Sequence, residues 1–431
     1  MKELYEPVRG FRDYVPPESE VISWICSVFR EVAESFGYRE IKTPIVESFR
    51  LFAMKSGEEI RESMYVFKDK GGREVALRPE LTPSVVRVYL RELRAWPKPV
   101  RLFYIGDVFR YDEPQLGRYR GFTQAGVEIL GADDLNYDVE LIEILEEFYD
   151  RIALKERIYK VNNVAIFRDL AIRSNLDESS VERLLHLLDK GLFNEAAELF
   201  EARGAVRGAR IVREVARYRG ANDVQPLVSI LESEGVYSDF RMHIDSIVKY
   251  IDFAKSIGAR VILDPAFARG IAYYTGIIFE VAAPPLSISI AGGGRYDNLT
   301  AVYGGEELPS TGFAVGVERT MLALSSQGQG PSLPRRRRVL LLLLVKDPPV
   351  FAEISSIARD IRRKGVVVQI EMLSAAHRLG RWLEYASKEG FNYAVIVGKR
   401  ELERRVVLVR DMERWEQHEV SIDRLAEFLV G

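Results

Sequence analysis

The chain is poor in the residues that most often advertise chemistry. Cys26 is its one cysteine, and its four histidines are His186, His243, His377 and His418. A single thiol excludes a disulfide framework and a thiolate metal cluster within the chain, and the histidines stand at no metal-ligating spacing. Cys26 lies in the apolar stretch 21–36 and reads as a buried structural thiol. Charge of one sign is also missing: 61 Lys+Arg against 64 Asp+Glu leave a formal charge of −3. A nucleic-acid partner therefore cannot be argued from net charge and would have to meet local basic patches. Long apolar runs are absent too. The longest, Val339 to Val345, is far short of the roughly 20 residues that span a bilayer, and the opening MKELYEPVRG has no signal core. The expectation is a cytoplasmic protein.

What is present is organised. At 431 residues the chain is too long for one core, so two or three domains are expected. Apolar side chains at Val21, Ile25, Val28, Phe29, Val32 and Phe36 predict a helix that Gly37 stops. Strand-like runs follow at Tyr38–Pro44, Val75–Leu77, Val100–Ile105, Ala125–Leu130 and Ile277–Ala282. Many strands with little βαβ alternation predict an α+β fold, an antiparallel sheet with flanking helices. From about 168 to 254 the strand signals fade into Leu, Ala, Glu and Arg, which predicts a helical insertion. Its Arg203, Arg207, Arg210, Arg213 and Arg217 fit a solvated face better than a phosphate-binding one. The segment 325–334 (SSQGQGPSLP) reads as a linker. It divides a first domain, 1–324, from a second, 335–431, that opens on the basic run Arg335 to Arg338. There strands at Val339–Val345, Val366–Ile370, Tyr393–Val397 and Val406–Arg410 alternate with helices, predicting a small α/β domain with a largely parallel sheet.

The segment Phe109-Arg110-Tyr111-Asp112, followed by GRYRGFTQAGVEILG at 117–131, suits a polyphosphate ligand. The arginine fork grips phosphate oxygens in two places and keeps its charge. On composition alone, surface ion pairs fit this arginine-rich loop somewhat better. In context it resembles the second signature motif of class II aminoacyl-tRNA synthetases. YREIKTPIVE at 38–47 resembles the first, which forms the dimer helix and strand. STGFAVGVERTM at 310–321 resembles the third, with Arg319 on its helix. RGFRD at 9–13, LRPELT at 77–82, ARGIAYYTG at 268–276 and IAGGGRYDNL at 290–299 narrow the resemblance to the histidyl family, and the last domain is similar to that family's anticodon-binding domain.

The resemblance implies a homodimeric ligase that uses ATP, with Mg2+, to activate histidine and load it on its tRNA. It places Arg110 and Arg269 at the α-phosphate, with Asp112 beside them. Arg319 and Phe122 take the two faces of the adenine. Glu80, Thr82 and Gln124 meet the α-ammonium of histidine, Glu128 and Tyr274 the two ring nitrogens, and Tyr273 closes the pocket. Gly292, Gly293 and Gly294 suit close approach to a ligand, or equally a bulge. The chain departs from the family pattern at Ala272, where an aspartate is usual, at Asp112 for glutamate, at Glu113 where bacterial members often place arginine, and at Thr123. A non-catalytic relative, the regulatory subunit of ATP phosphoribosyltransferase, is the main alternative. It does not need the last domain, and tends to lose the arginines kept here. A class II synthetase for threonine, proline or glycine is the other.

Overall fold

The computed structural model describes residues 5–56, 58–218, 223–268, 273–328, 336–373 and 379–430. The chain forms two compact units, Met1–Ser332 and Leu333–Gly431.

In chain order the strands of the first unit are β1 (Arg39–Glu40), β2 (Val46–Ser48), β3 (Val66–Lys68), β4 (Glu74–Leu77), β5 (Val100–Phe109), β6 (Gly121–Leu130), β7 (Ile158–Asn163), β8 (Val261–Leu263), β9 (Ile277–Ala282), β10 (Ser289–Arg295) and β11 (Ser310–Gly316). Among the described residues eight of them form one sheet in the order β1-β5-β6-β11-β10-β9-β7-β8, and β2-β4-β3 form a small second sheet. All pairs from β5 to β7 are antiparallel; only the edge pairs β1–β5 and β7–β8 are parallel. The expected antiparallel sheet is thus present, closed at each edge by a parallel strand.

Period-two alternation splits this sheet into two faces. Phe103, Val127 and Phe313 face helices Glu18–Ser35, Leu135–Arg151 and Val317–Ser326. Phe29 lies at the centre of that layer, its ring 5.3 Å from Phe148 and 6.2 Å from Phe313. The first helix runs from Glu18 to Ser35 and stops where Gly37 takes φ +83, as the spacing predicts. Cys26 is only partly buried on it, and burial pushes its thiol up to about 12. The opposite face of the sheet carries Tyr104, Gln124, Gly126 and Glu128 and is left open by the small residues Gly292, Gly312 and Ala314.

The expected strand Tyr38–Pro44 pairs only at Arg39–Glu40 and through Ile41 N to the Phe103 carbonyl (2.8 Å). Beyond that point a guanidinium takes the carbonyls: Arg78 Nη1 donates to Thr43 O (2.8 Å) and Pro44 O (3.4 Å). The insertion is helical throughout its described length, from Ala165–Arg173 to Tyr237–Ser256. Most of its basic side is self-neutralised, because Arg203, Arg210, Arg213 and Arg217 pair with Asp177, Glu234, Glu201 and Glu214. Its first helix reaches back to the sheet unit, where Arg168 Nε donates to the Tyr274 carbonyl (2.8 Å).

Among the described residues the second unit has five strands, β12 (Arg338–Leu343), β13 (Val367–Met372), β14 (Tyr393–Val397), β15 (Val406–Asp411) and β16 (Gln417–Ser421), in the order β13-β12-β14-β15-β16. The first three are parallel, and β15 and β16 are antiparallel. The sheet is therefore half parallel rather than largely so. The polar strand β16 pairs along an edge and carries no apolar run to reveal it. Arg337 and Arg338 are turned onto their own domain, Arg337 donating to the Leu429 carbonyl (3.0 Å) and Arg338 lying over the Phe391 ring (4.4 Å). Arg335 and most of the expected linker lie outside the described residues.

Candidate active site

Local sequence dictates how the open face becomes a site. Pro79 ends the run from β4, and Thr82-Pro83 start the helix Thr82–Val88, so Glu80 and Thr82 are delivered from a short loop. This loop is stitched to the end of β5: Phe109 N donates to the Arg78 carbonyl (2.9 Å) and Arg110 Nε to the Pro79 carbonyl (2.9 Å). Arg78 is buried and fixed by the Asp107 carbonyl (2.8 Å). It fits because position 106 is glycine, where a Cβ would lie 2.5 Å from its Nη2.

A cavity of about 120 Å³ sits on the sheet between this loop and β10. Glu80, Thr82, Arg110, Phe122, Gln124, Glu128, Tyr273, Tyr274 and Arg319 all line it. A second cavity of about 460 Å³ shares Arg110, Phe122 and Arg319 and adds Asp112, Arg118, Glu280 and Glu318. Arg269 and Ala272 lie outside the described residues.

The two ends of the site differ electrically. At the outer end Arg110 lies over the Phe122 ring (5.4 Å). Arg319 is aimed by two carbonyls, its Nε donating to Gly117 O (2.7 Å) and Nη1 to Ser289 O (2.8 Å). Two fixed cations beside an aromatic face suit a nucleotide with phosphates. Asp112 pairs with Arg118 (3.0 Å) and receives Arg120 Nε on its carbonyl (3.0 Å), holding the loop between β5 and β6. Glu113 meets Arg9 (3.0 Å) with both side chains exposed. Glu318, in the first turn of the helix after β11, accepts the Thr123 N–H on both oxygens (2.9 and 3.0 Å). It completes β6 where β11 has ended, and burial raises its carboxyl above the usual range.

At the inner end Glu128 is 1 % exposed. It receives Thr82 Oγ1 (2.6 Å) and Tyr104 OH (3.2 Å) on Oε1, and Tyr296 OH on Oε2. Burial pushes its carboxyl up to about 8 against the pull of those hydrogen bonds. Nearby, Tyr273 OH donates to Glu80 (3.0 Å), and its ring meets Tyr296 edge-on at 5.6 Å. Gln124 Oε1 is buried with no hydrogen-bond partner, an acceptor aimed into the cavity. Tyr104, Tyr296, Gly312 and Glu318 were not singled out from the sequence. Tyr104 looks like one more strand aromatic, and Tyr296 follows the glycines that drew attention. Of those glycines only Gly292 lines the cavity; Gly293 and Gly294 have no room for a Cβ against Phe313 and Ile278.

Residues 10–320 match the family model described as histidyl-tRNA synthetase, and residues 339–431 match that of an anticodon binding domain. The chain belongs to the histidyl-tRNA synthetase family. Among curated relatives, the histidine–tRNA ligases of Sulfolobus acidocaldarius and Metallosphaera sedula are 40% and 42% identical, each match covering 99% of both chains. Solved structures share the fold at lower identity. The histidyl-tRNA synthetase from Nostoc sp. PCC 7120 has a TM-score of 0.77 at 21% identity, over 99% of this chain and 98% of that one. A Bacillus halodurans C protein described as an ATP phosphoribosyltransferase regulatory subunit/histidyl-tRNA synthetase has 0.73 at 21%, over 91% and 98%. Family membership thus accounts for the large central sheet of the first unit and for the smaller sheet of the second.

Proposed function

We propose that this histidyl-tRNA synthetase family member is a working histidine–tRNA ligase, in the cytoplasm, and that the residues lining the two joined cavities carry its chemistry. A histidine carboxylate oxygen attacks the α-phosphorus of ATP, the bond to the bridging oxygen breaks, and pyrophosphate leaves. A ribose hydroxyl at the 3′ end of the tRNA then attacks the activated carbonyl, and AMP leaves with the electron pair. Negative charge grows at the α-phosphate in the first step, and fixed cations aimed there lower the barrier. Arg110 and Arg269 take that role. Arg319 and Phe122 hold the adenine, and Asp112 keeps the arginine loop in place. Glu80, Gln124 and the lone pairs of Thr82 receive the α-ammonium. Glu128 and Tyr274 read the ring, with Tyr273 closing over it.

The observation that carries the reading is the pairing, in one cavity, of the buried Glu128 with Arg110 and Arg319. An imidazole N–H needs an acceptor where an apolar rival would strand a buried carboxyl, and such mismatches discriminate strongly. Magnesium enters as part of the MgATP substrate. Among the described residues no three His, Cys, Asp or Glu side chains gather as a ready-made site, but Asp112, Glu280 and Glu318 line the second cavity. Magnesium carried by phosphates and water needs only one or two carboxylates. For the dimer, support comes from exposed apolar side chains around the small sheet, Ile45, Val46, Met54 and Phe67; light scattering should give twice the chain mass.

The test is ATP–pyrophosphate exchange with each amino acid in turn. Histidine alone should drive it. Exchange with threonine or proline instead would overturn the substrate, and no exchange with any amino acid would leave a non-catalytic regulatory relative.

A further inference from the structure

Glu128 is held from three elements: Thr82 at the start of its helix, Tyr104 on β5 and Tyr296 just after β10. Gly312, its register partner on β11, leaves the space its carboxyl fills, since a Cβ there would overlap Glu128 Oε2 and the Val127 carbonyl. Gly126 does the same for Tyr104, whose hydroxyl would otherwise lie 2.5 Å from a Cβ. From the loop, Glu80 faces the same pocket and is tied to Tyr273. Among the described residues no lysine or arginine hydrogen-bonds Glu128. The carboxyl is therefore held by hydroxyls, not by a cation.

Resting on the histidine reading above, we propose that Thr82, Tyr104 and Tyr296 are positioning residues that fix Glu128 as a carboxylate with one acceptor site open to the cavity, so that the pocket takes the imidazole ring in its neutral form through its N–H. A carboxylate offers about four acceptor sites, and the three hydroxyls occupy three of them. Arg110 and Arg319 line the same cavity and repel a cationic ring. The phenol of Tyr274, also on the lining, is a donor suited to the lone pair of a neutral ring.

This arrangement has a proton signature. In the empty pocket Glu128 titrates at about 8, so near neutral pH it holds a proton that it gives up when the ring N–H arrives. Binding needs the carboxylate and the neutral ring, so it tightens as pH rises from the imidazole pKa of about 6.5 and levels off above that of Glu128. Tyr296→Phe removes a hydrogen bond that favours the carboxylate. Glu128 then keeps its proton to higher pH, and the plateau starts later.

The experiment is histidine-dependent ATP–pyrophosphate exchange by the wild-type, Tyr296→Phe and Tyr104→Phe proteins across this range. The ratio of variant to wild-type KM for histidine cancels the ligand's own titrations. It is expected to approach about tenfold near neutrality for a shift of about one pH unit, falling toward unity on the alkaline side, with KM rather than kcat carrying the loss. A ratio that stays constant with pH, or an equal loss in kcat, would overturn the inference. Should the variants not fold, calorimetry of histidine binding to the wild-type protein in two buffers of different ionisation heat decides: release of close to one proton near neutrality supports it, and no release overturns it. A wild-type protein that exchanges with no histidine at all would remove the functional reading itself.

Discussion

Replacing Gly312 by alanine puts a methyl group where the Glu128 carboxyl lies. The new Cβ would overlap Glu128 Oε2 and the Val127 carbonyl and stand 2.9 Å from Glu128 Cδ. The Val127 carbonyl belongs to an interior strand paired on both sides, so relief needs both a local parting of β6 from β11 and withdrawal of the carboxyl. Forcing a methyl into a closed site costs about 1–3 kcal/mol. A displaced Glu128 also gives up hydrogen bonds to Thr82 and Tyr296, each worth about 0.5–1.5 kcal/mol for the neutral carboxyl of the empty pocket. Relaxation recovers part of this, leaving a net loss of roughly 2–4 kcal/mol. Because the moved group is the one proposed to read the ring, KM for histidine should rise about a hundredfold, while KM for ATP changes little. The assays are urea unfolding followed by tryptophan fluorescence, and exchange kinetics with each substrate varied. Gly380→Ala, at an exposed position of the helix Leu379–Lys388 with nothing among the described residues near its Cβ, is the control and should be neutral or stabilising by up to about 1 kcal/mol. Unchanged histidine KM in Gly312→Ala would refute the argument that Glu128 depends on that space.

Arg269→Ala should cut adenylate formation by on the order of a hundredfold or more while histidine binding changes less, because a charge aimed at the α-phosphate acts mainly in the transition state; equal losses in both would make Arg269 structural. Deleting residues 335–431 should leave histidine-dependent exchange largely standing while tRNA charging collapses, and charging by the full chain should weaken as salt rises; a truncated protein that charges as well as the intact one would sever the last domain from tRNA. Arg295→Leu should destabilise the protein by about 3–5 kcal/mol, because it strands a buried carboxylate. Arg295 bridges Asp138, Asp297 and the Ala132 carbonyl (2.6 Å), and chemical unfolding that shows under half that loss would count against it.

Local patterns carried the fold a long way. Apolar runs located β9 and β14 closely, because these interior strands are buried nearly throughout and are apolar to match, whereas β6 begins at Gly121, ahead of the apolar run at Ala125–Leu130. Strands β8 and β16 escaped, since β8 is only Val261–Leu263 at a sheet edge and β16 is polar, while the strand expected at Tyr38–Pro44 pairs as β1 over Arg39–Glu40 alone. In the site, Arg110, Gln124, Glu128 and Arg319 stand in motifs legible as short strings, and the cavity lining brings them together. Tyr104, Tyr296 and Gly312 were hidden for a different reason. Their importance lies in contacts across strands far apart in the chain, with Tyr104 on β5 and Tyr296 beyond β10 converging on one carboxylate. Each alone is an ordinary strand aromatic or small residue.

The helical insertion leaves the sheet after β7 and returns as β8, whose Val261 lies beside Tyr159. Its first and last helices hold each other and the sheet: His243 Nε2 meets Asp169 (2.8 Å), and Arg168 fixes the Tyr274 carbonyl. These two helices are masonry of the catalytic body. The four between them, Glu178–Asp189, Phe193–Glu201, Val206–Val215 and Gln225–Ser233, have a different status. They hang from a frame already closed by Arg168 and His243, and their ion pairs are mostly with one another. Lineages are therefore free to lengthen, shorten or exchange that outer group without disturbing the tyrosines of the pocket. A cut made inside Ala165–Arg173 would reach them at once.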